Sequence, residues 1–117
     1  MRAAIARLKR RAEFLKVAGS RRKAALPGLV LQAARGPDDA IRCGFTATKK
    51  LGGAVVRNRA KRRLRAAAQA VLPVAGMRGY DYVLVARAGT IERSWPLLLD
   101  DLRKALETLT PKGRGTP

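Results

Sequence analysis

Residues 54–65 read Ala54-Val55-Val56-Arg57-Asn58-Arg59-Ala60-Lys61-Arg62-Arg63-Leu64-Arg65, and Lys49-Lys50-Leu51-Gly52-Gly53 leads directly into them. Across 49–65 there are eight basic residues and no acid. From Ala54 to about Leu72 there is no Gly or Pro, and Val56, Ala60, Leu64, Ala67 or Ala68, and Val71 recur every three or four residues. That period is the one an α-helix imposes when a single stripe is buried. Pro73 predicts its end. Asn58, Arg59, Arg62, Arg63 and Arg65 fall away from the stripe, whereas Arg57 projects close to it.

A row of arginines off the apolar stripe suits a phosphate backbone. Planar guanidinium groups hold phosphate oxygens in pairs, and binding releases condensed counterions. The competing reading is a solvated helix face, but eight cations with no compensating acid repel one another at a cost that a polyanion removes. An acidic membrane fits less well, because the apolar stripe has no Trp or Phe to enter a lipid interface. Charge does not separate RNA from DNA, and no zinc-finger spacing, aromatic RNP motif or GXXG loop is present.

Upstream, Ile41, Cys43, Phe45 and Ala47 alternate with Arg42, Gly44, Thr46 and Thr48, the pattern of a strand with one buried face. Pro27-Gly28 and Gly36-Pro37-Asp38-Asp39 are turn signals on either side of the apolar run 29–33. The two runs predict a hairpin, with Cys43 as a small core residue. Arg7 to Ala18 reads as a first helix with Leu8, Ala12 and Leu15 on its buried stripe, Phe14 and Ala18 beside it, and Gly19 as its stop. Downstream, Tyr80–Ala86 (YDYVLVA) has apolar residues on both faces towards its end, as an interior strand does. Ser94 predicts an N-cap for a last helix carrying Leu98, Leu102, Leu106 and Leu109. Trp95 packs at that cap, and Asp100-Asp101 suits the helix dipole without a metal.

The whole chain has 117 residues and a mass of 12.7 kDa, enough for one core. It carries 26 Lys and Arg against 8 Asp and Glu, a net charge of +18 at pH 7. The excess is concentrated in residues 1–23, with nine basic residues and one acid, and in 49–65. A disordered basic tail would hold its charge at one end; a block in mid-chain between patterned segments belongs to a folded surface. There is no histidine and one cysteine. The usual general base, the His-activated nucleophiles and the commonest metal ligand are therefore absent, and no internal disulfide can form. The basic start without an apolar h-region and the lack of a membrane-length apolar run predict a cytoplasmic protein with no membrane partner. Composition favours a binding protein over a self-sufficient enzyme. Residues 1–110 are expected to form a single RNA-binding domain, and 111–117 a flexible C-terminal tail.

The Arg57-Asn58-Arg59 block, its continuation to Arg65 and the Lys49-Lys50-Leu51-Gly52 approach closely resemble the signature of the bacterial ribonuclease P protein component. The resemblance runs from about Arg7 to Leu109. Two positions depart from the family's pattern: Ala60 stands where a larger aliphatic is usual, and Ala18 where many members carry a second aromatic beside the one at Phe14. The resemblance implies an α+β, single-domain αβββαβα two-layer sandwich like domain 2 of ribosomal protein S5, with the basic helix in a left-handed parallel crossover. It also implies a short strand near 23–26 that the residue patterns alone do not give.

By the same resemblance, a catalytic RNA with bound Mg²⁺ carries out the hydrolysis that matures the 5′ end of precursor tRNA. The protein assists, inactive alone and binding no cofactor itself. Its RNA-binding residues would be Lys49, Lys50, Arg57, Asn58, Arg59, Lys61, Arg62, Arg63 and Arg65. Phe14, Val30 and Phe45 would line a cleft for the single-stranded leader of precursor tRNA, although Phe45 by strand pattern alone is a core residue. Lys49 and Lys50, read without the resemblance, are loop lysines. The alternative is a structural RNA-binding protein of ribosomal type, which would share fold and charge but not the Arg-Asn-Arg block. A DNA-binding role is disfavoured by the lack of a dimerisation segment or minor-groove arm.

Overall fold

The computed structural model describes residues 4–110. The elements run β1 (Ile5–Arg7), α1 (Arg11–Gly19), β2 (Lys23–Leu26), β3 (Leu29–Arg35), β4 (Ile41–Thr46), a single 3₁₀ turn (Lys49–Leu51), α2 (Ala54–Ala75), β5 (Tyr80–Ala86), α3 (Ala88–Glu92) and α4 (Trp95–Leu109). The α+β class and the succession of helix, three strands, helix, strand and helix are as expected, with β1 and α3 added. The short strand at 23–26 is present. The proposed tail, 111–117, lies outside the described residues.

One five-stranded sheet has the order β1-β4-β5-β3-β2. The predicted pairing of β3 with β4 is not found: β5 lies between them, antiparallel to β3 and parallel to β4. The reason is the composition of β5, whose apolar residues on both faces are best buried in the middle of the sheet. The helix α2 carries the chain from β4 across to its parallel neighbour, as a crossover must. The hairpin that does form joins β2 to β3, with Leu26 opposite Leu29 and Pro27-Gly28 as the turn.

Strand alternation divides the sheet into two faces. On one, Leu29, Leu31, Ala33, Ile41, Cys43, Tyr82 and Leu84 pack with Leu64, Ala67, Val71 and Leu72 of α2 and Leu98, Leu102 and Leu106 of α4. Cys43 is the core residue predicted, and burial pushes its thiol well above the usual range. On the other face Leu8, Val17, Ala34 and Val83 form a smaller core, with Phe14 and Val85 packed against it. Ala60, where the family usually has a larger aliphatic, is fully buried.

The first helix departs from its predicted phase. Residues 5–7 are drawn into the sheet, Ile5 opposite Ile41 and Arg7 opposite Cys43, and the Leu8 N–H donates to the Cys43 carbonyl. The helix begins only after Arg10, where the Glu13 carboxylate accepts from the N–H groups of Lys9 and Arg10 at 2.9 and 3.0 Å. Starting there turns Phe14 and Val17 inward and leaves Ala12 and Leu15 outside; Leu15 is 56% exposed. Gly19 is the last helical residue, and the left-handed position after it is taken by Arg21 (φ 62°).

Pro73 lies inside α2 rather than ending it, contrary to the sequence expectation. A proline removes one ladder hydrogen bond and crowds the carbonyl four residues before it, and so close to the helix end the disturbance is local. The ladder closes beyond it, the Gly76 N–H donating to Leu72 O at 2.9 Å.

Two buried carboxylates fix the helices to the sheet. Asp81 accepts both Nε and Nη2 of Arg42, at 2.8 and 2.7 Å, and Nη1 of the same arginine reaches Glu13 at 2.8 Å. Asp101 accepts the Gly28 N–H at 2.8 Å together with Arg93 Nε at 3.0 Å and Nη2 at 3.1 Å. The β2–β3 turn is thereby held to α4. Gly28 must be glycine, because a Cβ there would stand 2.6 Å from the Asp101 carboxylate.

Candidate nucleic-acid interface

The helix α2 buries Ala60, Leu64, Ala67, Ala68, Val71 and Leu72, and its first turns present the basic residues. Asn58, Arg59, Arg62 and Arg65 are exposed; Arg57, Lys61 and Arg63 are half-buried. Lys49 and Lys50, also exposed, form the 3₁₀ turn that precedes the helix. None of the described ion pairs involves any of these nine residues.

Three arginines of the face are distinguished by what they touch. Arg57, predicted to lie near the stripe, has its Nε buried without a hydrogen-bond partner among the described residues. Arg63 is turned to the protein: its Nη1 donates to the carbonyls of Thr90, Ile91 and Arg93 at 2.9, 2.9 and 2.8 Å. It thus satisfies the backbone at the end of α3 and lies 6.0 Å from the centre of the Trp95 ring. Arg65 reaches the opposite flank, 5.5 Å from the centre of the Phe45 ring.

The proposed cleft is resolved by register. Ala25, Val30, Val85 and Thr46 stand opposite one another across β2, β3, β5 and β4, forming one row on the α1 face. The next row, Gln32, Val83 and Gly44, is covered by α1 through Phe14 and Val17. The first row is left partly open, with Val30, Val85 and Thr46 half-buried. Phe14 borders it, in a groove also lined by Lys9, Arg11, Phe45 and Thr46.

Phe45 sits differently from Phe14 and Val30. Alternation sets it on the α2 face with Ile41 and Cys43, packed against the main core. It lies beyond Cys43, the last residue that β1 covers, so its ring is reached from the Phe14 groove as well as from under Arg65. Phe14 and Val30 therefore share a face, and Phe45 occupies the sheet edge between that face and the basic helix.

Sequence reasoning did not identify Val85 and Thr46 as members of the cleft row. Val85 follows Val83 with the period of a strand, but its place beside Val30 depends on β5 lying between β3 and β4. The Arg42–Asp81 and Arg93–Asp101 pairs join residues far apart in the chain and leave no local pattern.

A family model described as Ribonuclease P matches residues 3–110. The ribonuclease P protein component of Paramagnetospirillum magneticum is 53% identical over 112 residues, covering 92% of this chain and 84% of that protein. That of Gluconacetobacter diazotrophicus is 52% identical over 108 residues, covering 92% and 93%. Among solved structures, the RNase P protein from Thermotoga maritima superposes with a TM-score of 0.76 at 23% identity, covering 90% of this chain and 98% of that one. The Staphylococcus aureus RNase P protein gives 0.71 at 24%, covering 86% and 92%. These two show the shared fold, and the relatives above half identity show the rest: the chain belongs to the bacterial ribonuclease P protein family, the protein component of the tRNA-processing endoribonuclease.

Proposed function

We propose that the exposed basic face of α2, with Lys49 and Lys50, holds the phosphate backbone of the catalytic RNA of ribonuclease P. The open row beside Phe14 takes the single-stranded 5′ leader of precursor tRNA. The observation that carries the proposal is the unneutralised face itself: Arg59, Arg62 and Arg65 project from a helix without an acid and enter none of the described ion pairs. Their charge is available to an outside polyanion.

The cleft fits an unpaired strand rather than a duplex. Its floor is the half-buried Val30, Val85 and Thr46, with the edge of Phe14 for stacking and Lys9 and Arg11 for phosphates. Phe45, beneath Arg65, lies where the two surfaces meet. The protein's part is to bind and place RNA. Among the described residues no three His, Cys, Asp or Glu come together to hold a metal. In this reading the Mg²⁺ of the holoenzyme is held by the RNA. The proposed site of action is the bacterial cytoplasm, where precursor tRNA is made. Among the described residues no helix is long and apolar enough to cross a membrane.

The test is the salt dependence of binding to the catalytic RNA. Arg59→Ala, Arg62→Ala and Arg65→Ala should each lower the log–log slope by about 1 or less. An unchanged slope in all three variants would mean that this face does not meet phosphate.

A further inference from the structure

Trp95 is the only tryptophan of the chain, and it stands 39% exposed at the start of α4, with Leu97 beside it 46% exposed. Its ring is not loose. The guanidinium of Arg63 lies 6.0 Å from the ring centre, and Nη1 of that arginine is held by three carbonyls, those of Thr90, Ile91 and Arg93. A guanidinium whose Nη1 is held by backbone carbonyls has a fixed position, and is well placed to fix an aromatic ring. Arg59 precedes Arg63 by four residues, so it lies one turn away on the same side of α2, exposed.

The geometry points to Trp95 as a stacking platform for an unpaired nucleotide of the catalytic RNA, with Arg63 steadying the indole and Arg59 meeting an adjacent phosphate. The inference rests on the RNA-binding reading of α2 and carries that interface onto the first turn of α4. Charge selects the occupant. Of the carboxylates in α3 and the early turns of α4, Asp101 is buried against Arg93 and Asp100 pairs with Arg103, which leaves Glu92 as the one exposed acid there outside the described ion pairs. A partner meeting this patch meets an aromatic ring framed by cations, which complements a base and its phosphate. In this assignment Arg63 is a positioning residue and Trp95 the residue that touches RNA.

The single indole provides the readout. The full-length chain is titrated with its cognate catalytic RNA while Trp95 emission is followed, and affinity and melting temperature are measured for Trp95→Phe and Trp95→Leu. Quenching on binding is expected. Trp95→Phe should retain most of the affinity, and Trp95→Leu should lose roughly 5- to 150-fold at an unchanged melting temperature, the range of one base–aromatic stack. RNA that binds with steep salt dependence, yet leaves the emission unchanged and tolerates Trp95→Leu, overturns the inference and leaves the α2 interface standing. A loss in Trp95→Leu that follows a lowered melting temperature makes Trp95 a packing residue and also overturns it. Failure of the wild-type chain to bind the RNA at low salt overturns the α2 reading itself.

Discussion

The ring of Phe14 occupies the space that a side chain on Gly44 would need: a Cβ there would stand 2.4 Å from Phe14 Cζ and 2.5 Å from Cε2. Gly44 is thus the gap in β4 through which α1 settles onto the sheet. A methyl at this position must push the ring outward or tilt the helix, and Leu8 Cβ at 3.3 Å blocks part of the escape. Gly44→Ala is expected to cost about 1–3 kcal/mol, as overpacking does. Urea unfolding would measure it. The variant should also lose leader affinity, since the displaced ring closes on the row at Thr46.

Phe14 has two duties in this arrangement. Its ring packs against Leu8, Val17 and Val83, and its outer edge lines the groove with Lys9 and Arg11. Phe14→Ala should therefore destabilise the fold by about 1–3 kcal/mol, less than a fully buried phenylalanine would. It should also weaken binding of precursor tRNA more than of mature tRNA. Equal weakening of both, once corrected for the unfolded fraction, would make Phe14 a packing residue alone.

Adjacent arginines of α2 should behave oppositely. Removing Arg63 leaves the carbonyls of Thr90, Ile91 and Arg93 without this donor, so Arg63→Ala should lower stability by about 1–3 kcal/mol. Arg62 is exposed and enters none of the described ion pairs, so Arg62→Ala should leave the melting temperature unchanged and reduce the salt slope instead. Thermal melting alongside RNA titration separates the two.

Glu13 gives the fold a defined acid limit. Its carboxyl is lowered from 4.5 to about 2 by the N–H groups of Arg10 and Lys9, with a further contribution from Arg42. A carboxyl whose folded pKa lies below its unfolded value stabilises fully above the unfolded one, here about 4.5, and the contribution fades as pH falls towards about 2. Denaturation midpoints between those limits should fall more steeply for wild type than for Glu13→Gln. Parallel curves would show that the Glu13 latch contributes nothing to the pH dependence.

The elements legible in the sequence were those whose stripes are long and continuous. The leucines at 98, 102, 106 and 109 and the stripe from Ala60 to Val71 gave helices whose buried faces are the observed ones, but Val56, placed at the head of the same stripe, is exposed in the first turn of α2. Local pattern failed where distant groups decide the outcome. The phase of α1 is set by a β1–β4 pairing some 36 residues away and by the Glu13 cap, which outweigh the spacing of Leu8, Ala12 and Leu15. The place of β5 between β3 and β4 was not visible in either apolar run, although the apolar residues on both faces towards its end marked it as interior. For the candidate interface, residue type identified the basic face, but not that Arg63 is turned inward to the α3 carbonyls while Arg62 remains free for solvent.

Reconstitution tests the central claim most directly. Precursor tRNA is incubated at moderate Mg²⁺ with the cognate catalytic RNA alone, with RNA-free protein alone, and with both. 5′-matured tRNA is expected at a markedly higher rate with both than with the RNA alone, and no cleavage by the protein. Cleavage by rigorously RNA-free protein, or a rate with both no greater than with the RNA alone, would contradict that claim.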